Sequence, residues 1–192
     1  MRDRILARVR SALAGREAVA HPGAFVGSLH AGPAIEAFTD RFRAAGGEVE
    51  RFADMDEARD WLEDFAGAFA GGRAGVAAGA EVPTGLATNL PNLPAREAPL
   101  GVSMALYAAA DTGSLVLDSR GGRLPQLLPP IHLVWVRADK VVATLDQALE
   151  AARGDLPAVL ALHSGPSRSA DIGRVIVTGV HGPGRVVVGI VG

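Results

Sequence analysis

The chain has no cysteine. That excludes disulfides and thiolate ligands to zinc or an iron–sulfur cluster. It has one lysine, Lys140, and every other basic side chain is arginine. Together with the load of Ala and Gly, this suggests GC-rich bacterial coding rather than a binding function. An excess of one charge sign is also missing. The 19 basic and 21 acidic residues leave a net charge of -2, which gives no electrostatic case for a nucleic-acid or anionic-membrane partner. Aromatic residues make up 5%, too few for a base-stacking surface. No apolar run approaches the ~18 residues of a membrane span. The Arg-rich opening "MRDRILARVRSALAG" lacks the unbroken apolar stretch of a secretory signal, and Asp3 argues against a transit peptide. The expectation is a soluble cytoplasmic protein. Familiar site templates are missing too: there is no GxxxxGK[ST] loop, no HExxH and no CxxC. "GAFVGS" is not a dinucleotide fingerprint, "HSGPS" lacks the GxSxG elbow, and His163 and His181 have no metal-ligand spacing, so no metal is expected.

What is present suits a globular domain. A chain of 192 residues with 48% hydrophobic residues can bury one sizeable core. Ile5, Leu6, Val9 and Leu13 share a helical face over residues 2–15 and need a surface to cover them, either the sheet or another subunit. A Gly/Pro-broken loop follows. Ile35, Phe38 and Phe42 mark a second helix, "EVERF" a short strand, and Asp54 with Glu57 a capping box. Ala58, Trp61, Leu62, Phe65 and Phe69 form the next helical face, and "RAGVAAG" a buried strand. This alternation predicts an α/β fold: three layers, helix–sheet–helix, around a mainly parallel sheet. "GSLVLDS", "IHLVWV", "PAVLAL" and "RVVVGIV" read as further strands, and residues 141–154 as a helix. "GRVIVTG" is open between strand and helix. Residues 80–101, rich in Pro and Asn, read as a long loop, either lid, linker or binding loop. No domain boundary is evident, so 1–192 is expected to be a single domain with 1–31 as an N-terminal helix-and-loop extension.

Three stretches carry unusual chemistry. "AADTGSLVL" turns through Thr112, Gly113 and Ser114 into a strand; such a turn either cradles an anion with backbone N–H groups or is simply a tight turn. Asp111 is a base there or an Asx-type cap. "LLPPIHLVWV" places His132 at a strand start, of interest only if it meets another site in space. "HSGPSRSADIGRVIVTGVHGPG" (163–184) supplies hydroxyls on Ser164, Ser167 and Ser169, a forked donor on Arg168, Asp171 three residues on, and His181 between two Gly-containing turns. If Asp171 opens a helix, the Ser-Arg-Ser segment lies at its anion-binding end. The residues equally allow a tight corner capped by Asp171 and closed by an Arg168–Asp171 pair.

Three blocks, "ADTGSLVL", "LLPPIHLVWV" and "SGPSRSADIGRVIVTGVHGPGRVVV", make the second half of the chain resemble the lactate-utilization protein C family of the LUD-domain group. Gly165, Pro166, Ser167, Asp171, Ile172, Gly179, His181, Gly182 and Pro183 match the family pattern. Asp111-Thr112-Gly113-Ser114 stands where the family has Glu-Thr-Gly-Thr, keeping charge and hydroxyl. Gly173 stands where it commonly has Glu, which removes a carboxylate. The resemblance implies a fold similar to the glucosamine-phosphate isomerase, ribose-phosphate isomerase and CoA-transferase superfamily, with loops converging at strand ends. It implies an accessory or substrate-binding subunit of an L-lactate-oxidising system, with iron–sulfur clusters on partner proteins and none on this chain. The isolated chain is then expected to be inactive. Thr112, Gly113, Ser114, Ser167 and Arg168 would hold a small anionic metabolite, and His181 and Asp171 would assist the chemistry. The alternatives are a stand-alone enzyme or a regulatory binding protein for a sugar phosphate, CoA ester or similar anion.

Overall fold

A computed structural model describes residues 1–16, 32–68, 75–86, 91–170 and 176–192. In chain order the elements are helix α1 (Arg2–Leu13), helix α2 (Ala34–Ala44), strand β1 (Glu48–Phe52), helix α3 (Met55–Gly67), strands β2 (Val76–Ala78), β3 (Leu100–Met104), β4 (Tyr107–Ala109) and β5 (Ser114–Asp118), the single-turn helix α4 (Leu124–Leu127), strands β6 (Ile131–Arg137) and β7 (Val141–Val142), helix α5 (Leu145–Ala152), and strands β8 (Leu160–His163), β9 (Arg168–Ala170), β10 (Ile176–Thr178) and β11 (Arg185–Val191).

The central sheet has five strands in the order β1-β11-β6-β3-β2, every neighbouring pair parallel. Its two middle strands are apolar almost throughout because both faces are covered. Alternation divides them. Val134 and Val136 of β6, with Val186, Val188 and Ile190 of β11, pack under Phe38 and Phe42 of α2. Leu133 and Trp135, with Val187 and Val191, pack under Ala58 and Leu62 of α3. Gly189 lies opposite Trp135 in the register. A Cβ there would stand 2.1 Å from the indole, so only glycine leaves the ring its place. The indole N–H donates to the Leu86 carbonyl at 3.1 Å, which satisfies the one polar atom of a fully buried side chain.

A mostly parallel sheet flanked by helices is the expected architecture. The layer opposite α3 is more than helical, however. A second sheet, β7-β4-β5-β8, shares it with α2. Within it β5 runs antiparallel to both β4 and β8, and β4 is parallel to β7. Two of its members are too short to leave a periodic signal. Val141–Val142 reads as the start of a helix, but α5 begins only at Leu145. Thr144 Oγ1 accepts from the Gln147 N–H, and the Gln147 side-chain carbonyl accepts from the Ala143 N–H, a capping box that sets the start. The capping box of α3 is as expected: Asp54 Oδ1 accepts from the N–H groups of Asp56 and Glu57, both at 2.9 Å, and Glu57 reaches back to the Ala53 N–H.

"GRVIVTG" resolves in part: Ile176–Thr178 is a strand, paired antiparallel with β9. Asp171, and any helix it would cap, lies outside the described residues. Within the 80–101 stretch, Thr84–Leu86 forms a 3-10 turn and Leu100 already belongs to β3. The apolar face of α1 is not covered by the sheet. Ile5, Leu6, Val9 and Leu13 are all exposed, so of the two expected covers, the sheet or another subunit, the sheet is not the one. Among the described residues no helix is long and apolar enough to cross a membrane.

Candidate histidine and serine site

The three motif stretches meet. β5 and β8 pair antiparallel, which sets Leu115 opposite His163 and brings the two preceding and following turns together. There the Ser114 and Ser164 hydroxyls hydrogen-bond at 2.7 Å. Farther along, the Ser167 N–H donates to the Pro183 carbonyl and the Gly179 N–H donates to the Ser167 carbonyl, both at 2.9 Å. These bonds tie "SGPS" to "GVHGP" before β11 begins. The result is a cleft of about 150 Å³ lined by Leu127, His163, Ser164, Ser167, His181 and Val186, among others. A larger recess of about 570 Å³ adjoins it, and His181 lines both.

Behind the cleft lies a buried polar chain. His132, fully buried at the start of β6, sets its ring edge-on to His163 with centroids 5.7 Å apart. Its Nε2 is 2.9 Å from the equally buried Ser103 hydroxyl on β3, and its Nδ1 is buried with no hydrogen-bond partner among the described residues. Burial, reinforced by the neighbouring His163, pushes the His132 pKa down to about 3. Burial also lowers that of His163. Neutral imidazoles next to serine hydroxyls can accept and donate hydrogen bonds and relay a proton without carrying charge into the core.

The residues singled out from the sequence fall into three groups. Ser167 and His181 line the cleft, and Ser114 supports it through Ser164. Gly113 is buried at φ +63 beneath α2, where a Cβ would collide with Arg41 and Phe42, so it serves the turn and its packing. Thr112 and Arg168 are exposed and outside the lining. The Arg168 guanidinium lies against Gly46, just beyond α2. Asp171 is outside the described residues. Asp111 is neither cap of its own turn nor cleft residue: its Oδ1 accepts from the Leu145 N–H at 2.9 Å and holds the start of α5. His132 does meet the site, and Ser103 is the member that sequence reasoning missed. Its strand follows directly on the Pro-rich stretch, and a serine in a short apolar run gives no signal of its partner. Among the described residues no three His, Cys, Asp or Glu are grouped to hold a metal.

The cleft lies at the amino ends of β6 and β11. Ligands in open α/β sheets usually sit at the carboxyl ends, so the converging loops use the opposite end from the one the fold class suggests.

Fold and cleft together define a parallel α/β domain with a histidine–serine site built by its C-terminal half. The LUD domain family model matches residues 93–191, and the chain belongs to that family. Among curated proteins it is similar to lactate utilization protein C of Halalkalibacterium halodurans, 38% identical over 99 residues, which is 47% of this chain and 43% of that protein. It is similar also to lactate utilization protein C of Deinococcus radiodurans, 39% identical over 90 residues, 44% of this chain and 42% of that one. Each alignment spans less than half of the relative's length. A solved DUF162 family protein from Deinococcus radiodurans superposes with a TM-score of 0.60 at 24% identity, covering 83% of this chain and 96% of that one, which establishes the shared fold.

Proposed function

We propose that this chain takes part in lactate utilization as an accessory or substrate-binding subunit, holding a small anionic metabolite in the histidine–serine cleft. The observation that carries this reading is a coincidence of ranges. The family match covers 93–191, and all the residues lining the cleft, from Leu127 to Val186, fall inside it. Relatives sharing that segment are named for lactate utilization. A carboxylate in the cleft would accept hydrogen bonds from the Ser164 and Ser167 hydroxyls and from an imidazole N–H, with His181 at the mouth able to pass a proton to or from solvent. Oxidation of L-lactate to pyruvate releases two electrons and two protons. A chain without cysteine has no thiolate-held cluster to take the electrons, so iron–sulfur partner proteins would receive them.

The test is affinity purification from a native host, with iron and acid-labile sulfide measured in the eluate and lactate-dependent electron transfer assayed on it. Cysteine-rich iron–sulfur proteins should co-purify and the lone chain should not turn over lactate. Ser167→Ala with His181→Ala should keep the partners and lose most of the activity. Turnover by the isolated chain, or full activity in the double variant, would refute the proposal.

A further inference from the structure

The carboxyl ends of the parallel strands open into a separate cleft of about 470 Å³. Its lining is apolar. Leu86 and Trp135 are buried at its floor, and Met55, Pro83 and Met104 are the accessible walls. The charged side chains that line it are already engaged: Arg137 pairs with Asp139 at 2.9 Å, and Asp54 caps α3. A small polar ligand finds no free charged side chain there to orient it, whereas aliphatic side chains need only the walls. Met55 stands 40% exposed in this lining, and methionine adapts its shape to an apolar partner.

α1 has the complementary deficit, for it buries no residue. Ile5, Val9 and Leu13 lie at four-residue spacing with Leu6 beside them, a stripe left exposed. Arg2 continues the stripe, and Arg8 and Arg10 flank it. None of these arginines pairs with a carboxylate among the described residues. The acid lies on α3, which begins at the cleft. Asp54, Asp56, Glu57, Asp60 and Asp64 are exposed along it, and its one cation, Arg59, is held by Asp56 at 2.9 Å. Asp54 and Glu57 accept backbone N–H groups at the helix start, and neither they nor Asp64 meets a cation among the described residues. The chain's net charge of -2 therefore conceals one basic helix and one acidic helix.

We propose that α1 of one copy docks on the carboxyl-end cleft of a second copy, its apolar stripe against Met55, Pro83 and Met104 and its arginines against the acidic face of α3. The helix, about 10–12 Å across, does not enter the cleft; its stripe lies over it as a helix in a groove. Both halves of the contact are on this chain, so two copies exchange α1 reciprocally about a two-fold axis. One helix on one cleft is small against the roughly 1,200–2,000 Å² of a stable interface, and the exchange doubles it. Charge complementarity selects this occupant over a lipid surface, because α1 has no Trp, Tyr or Phe to anchor among headgroups. The contact lies at the opposite end of the sheet from the histidine–serine cleft, and neither assignment depends on the other.

The chain has no cysteine, so introduced thiols report only the contact under test. Whole chains carrying Leu13→Cys, mixed with chains carrying Met55→Cys, should give with a short bismaleimide a product of twice the chain mass. Leu128→Cys, exposed beside the amino-end recess, should give none with Leu13→Cys. Sedimentation across a concentration series should show a monomer–dimer equilibrium that salt weakens. Val9→Glu should weaken it about ten-fold or more, and Arg8→Glu with Arg10→Glu about ten-fold with a smaller salt dependence. These positions lie on an exposed helix, so circular dichroism should show the domain folded in each variant. The proposal is overturned by a monomer at every concentration, by a cross-link that forms only within one chain carrying both thiols, or by a dimer that Val9→Glu leaves unweakened. Binding of the chain to anionic phospholipid vesicles through α1, without self-association, would overturn it as well.

Discussion

The two ends of the parallel sheet solve opposite problems. At the amino end, three Gly-rich turns are tied by serine hydroxyls and backbone hydrogen bonds around a small polar cleft. At the carboxyl end the walls are apolar, the space is larger, and Glu81 Oε2 has no hydrogen-bond partner among the described residues. β6 runs from one to the other, with His132 as its second residue and Trp135 three residues later on its opposite face. Motifs crowd the amino end because tight turns restrict residue type. The carboxyl end is assembled from side chains on five separate strand exits, each ordinary in its own neighbourhood.

The largest test of that contrast is acid. His132 is held neutral in the folded chain down to about pH 3, against an ordinary value of 6.5 in the unfolded one. Between those values the unfolded state binds the extra proton. The stability contributed by neutral His132 is therefore present above pH 6.5 and lost as pH falls, at a rate that grows to about 1.4 kcal/mol per pH unit well below 6.5. Urea unfolding at pH 7, 6 and 5 should show a loss that is larger between pH 6 and 5 than between pH 7 and 6, and His132→Asn should flatten it. Parallel slopes in the two proteins would remove the buried histidine from the account.

The next test strikes the carboxyl end alone. Gly189→Ala drives a methyl into the Trp135 ring and should cost about 1–3 kcal/mol. Denaturation should register the loss and the tryptophan emission should shift. The proton resonances of His132, His163 and His181, which report the amino end, should move little. Stability unchanged within error would mean that the ring has another place to go.

Periodicity carried the apolar stripes on α2 and α3, the long central strands and the capping box at Asp54, since each rests on residues within one local segment. It failed at β3, β4 and β7, which take their identity from partners elsewhere in the chain. The same divide runs through the site. "SGPS" and "GVHGP" stand out because Gly, Pro and Ser are locally required, and backbone bonds join them beside Ser114. Arg168 stood out equally, yet its guanidinium rests on Gly46, a neighbour that no spacing within 163–184 could have named. Ser103 and Glu81 were invisible for the same reason. Ser103 matters through His132, and Glu81 through the side-chain-free face of Gly121 that its carboxyl fills, both set by tertiary packing.

A smaller effect should have the opposite sign. Glu81 has a raised pKa, so its contribution is fully present below the unfolded value and is lost as pH rises through the folded one. Glu81→Gln removes the charging penalty and should stabilise the protein at pH 7, by up to about 1 kcal/mol once the partial exposure of this side chain is allowed for. The gain should vanish near pH 4, where the wild-type carboxyl is protonated in both states. A loss of stability at pH 7 would mean that the carboxylate has a favourable partner.

The smallest effect belongs to an ion pair at the amino end of the sheet. Glu48 and Arg185 join β1 to β11 through two bonds of 2.6 and 2.7 Å, with both side chains roughly two-fifths exposed. The hydrogen bond from Arg185 holds the Glu48 pKa below its ordinary 4.5, against the opposing effect of burial. Stability from this pair is therefore present above pH 4.5 and is lost as pH falls through the lowered value. Glu48→Gln should cost roughly 0.2–1 kcal/mol at pH 7, toward the upper end because the contact is bidentate, and less at high salt. Its effect should be constant from pH 7 to about pH 5, the interval in which His132 already produces a slope. That separation lets one titration distinguish the buried group from the exposed pair. If Glu48→Gln also changes the slope above pH 5, the two groups are coupled through β11, and the amino end titrates as one unit.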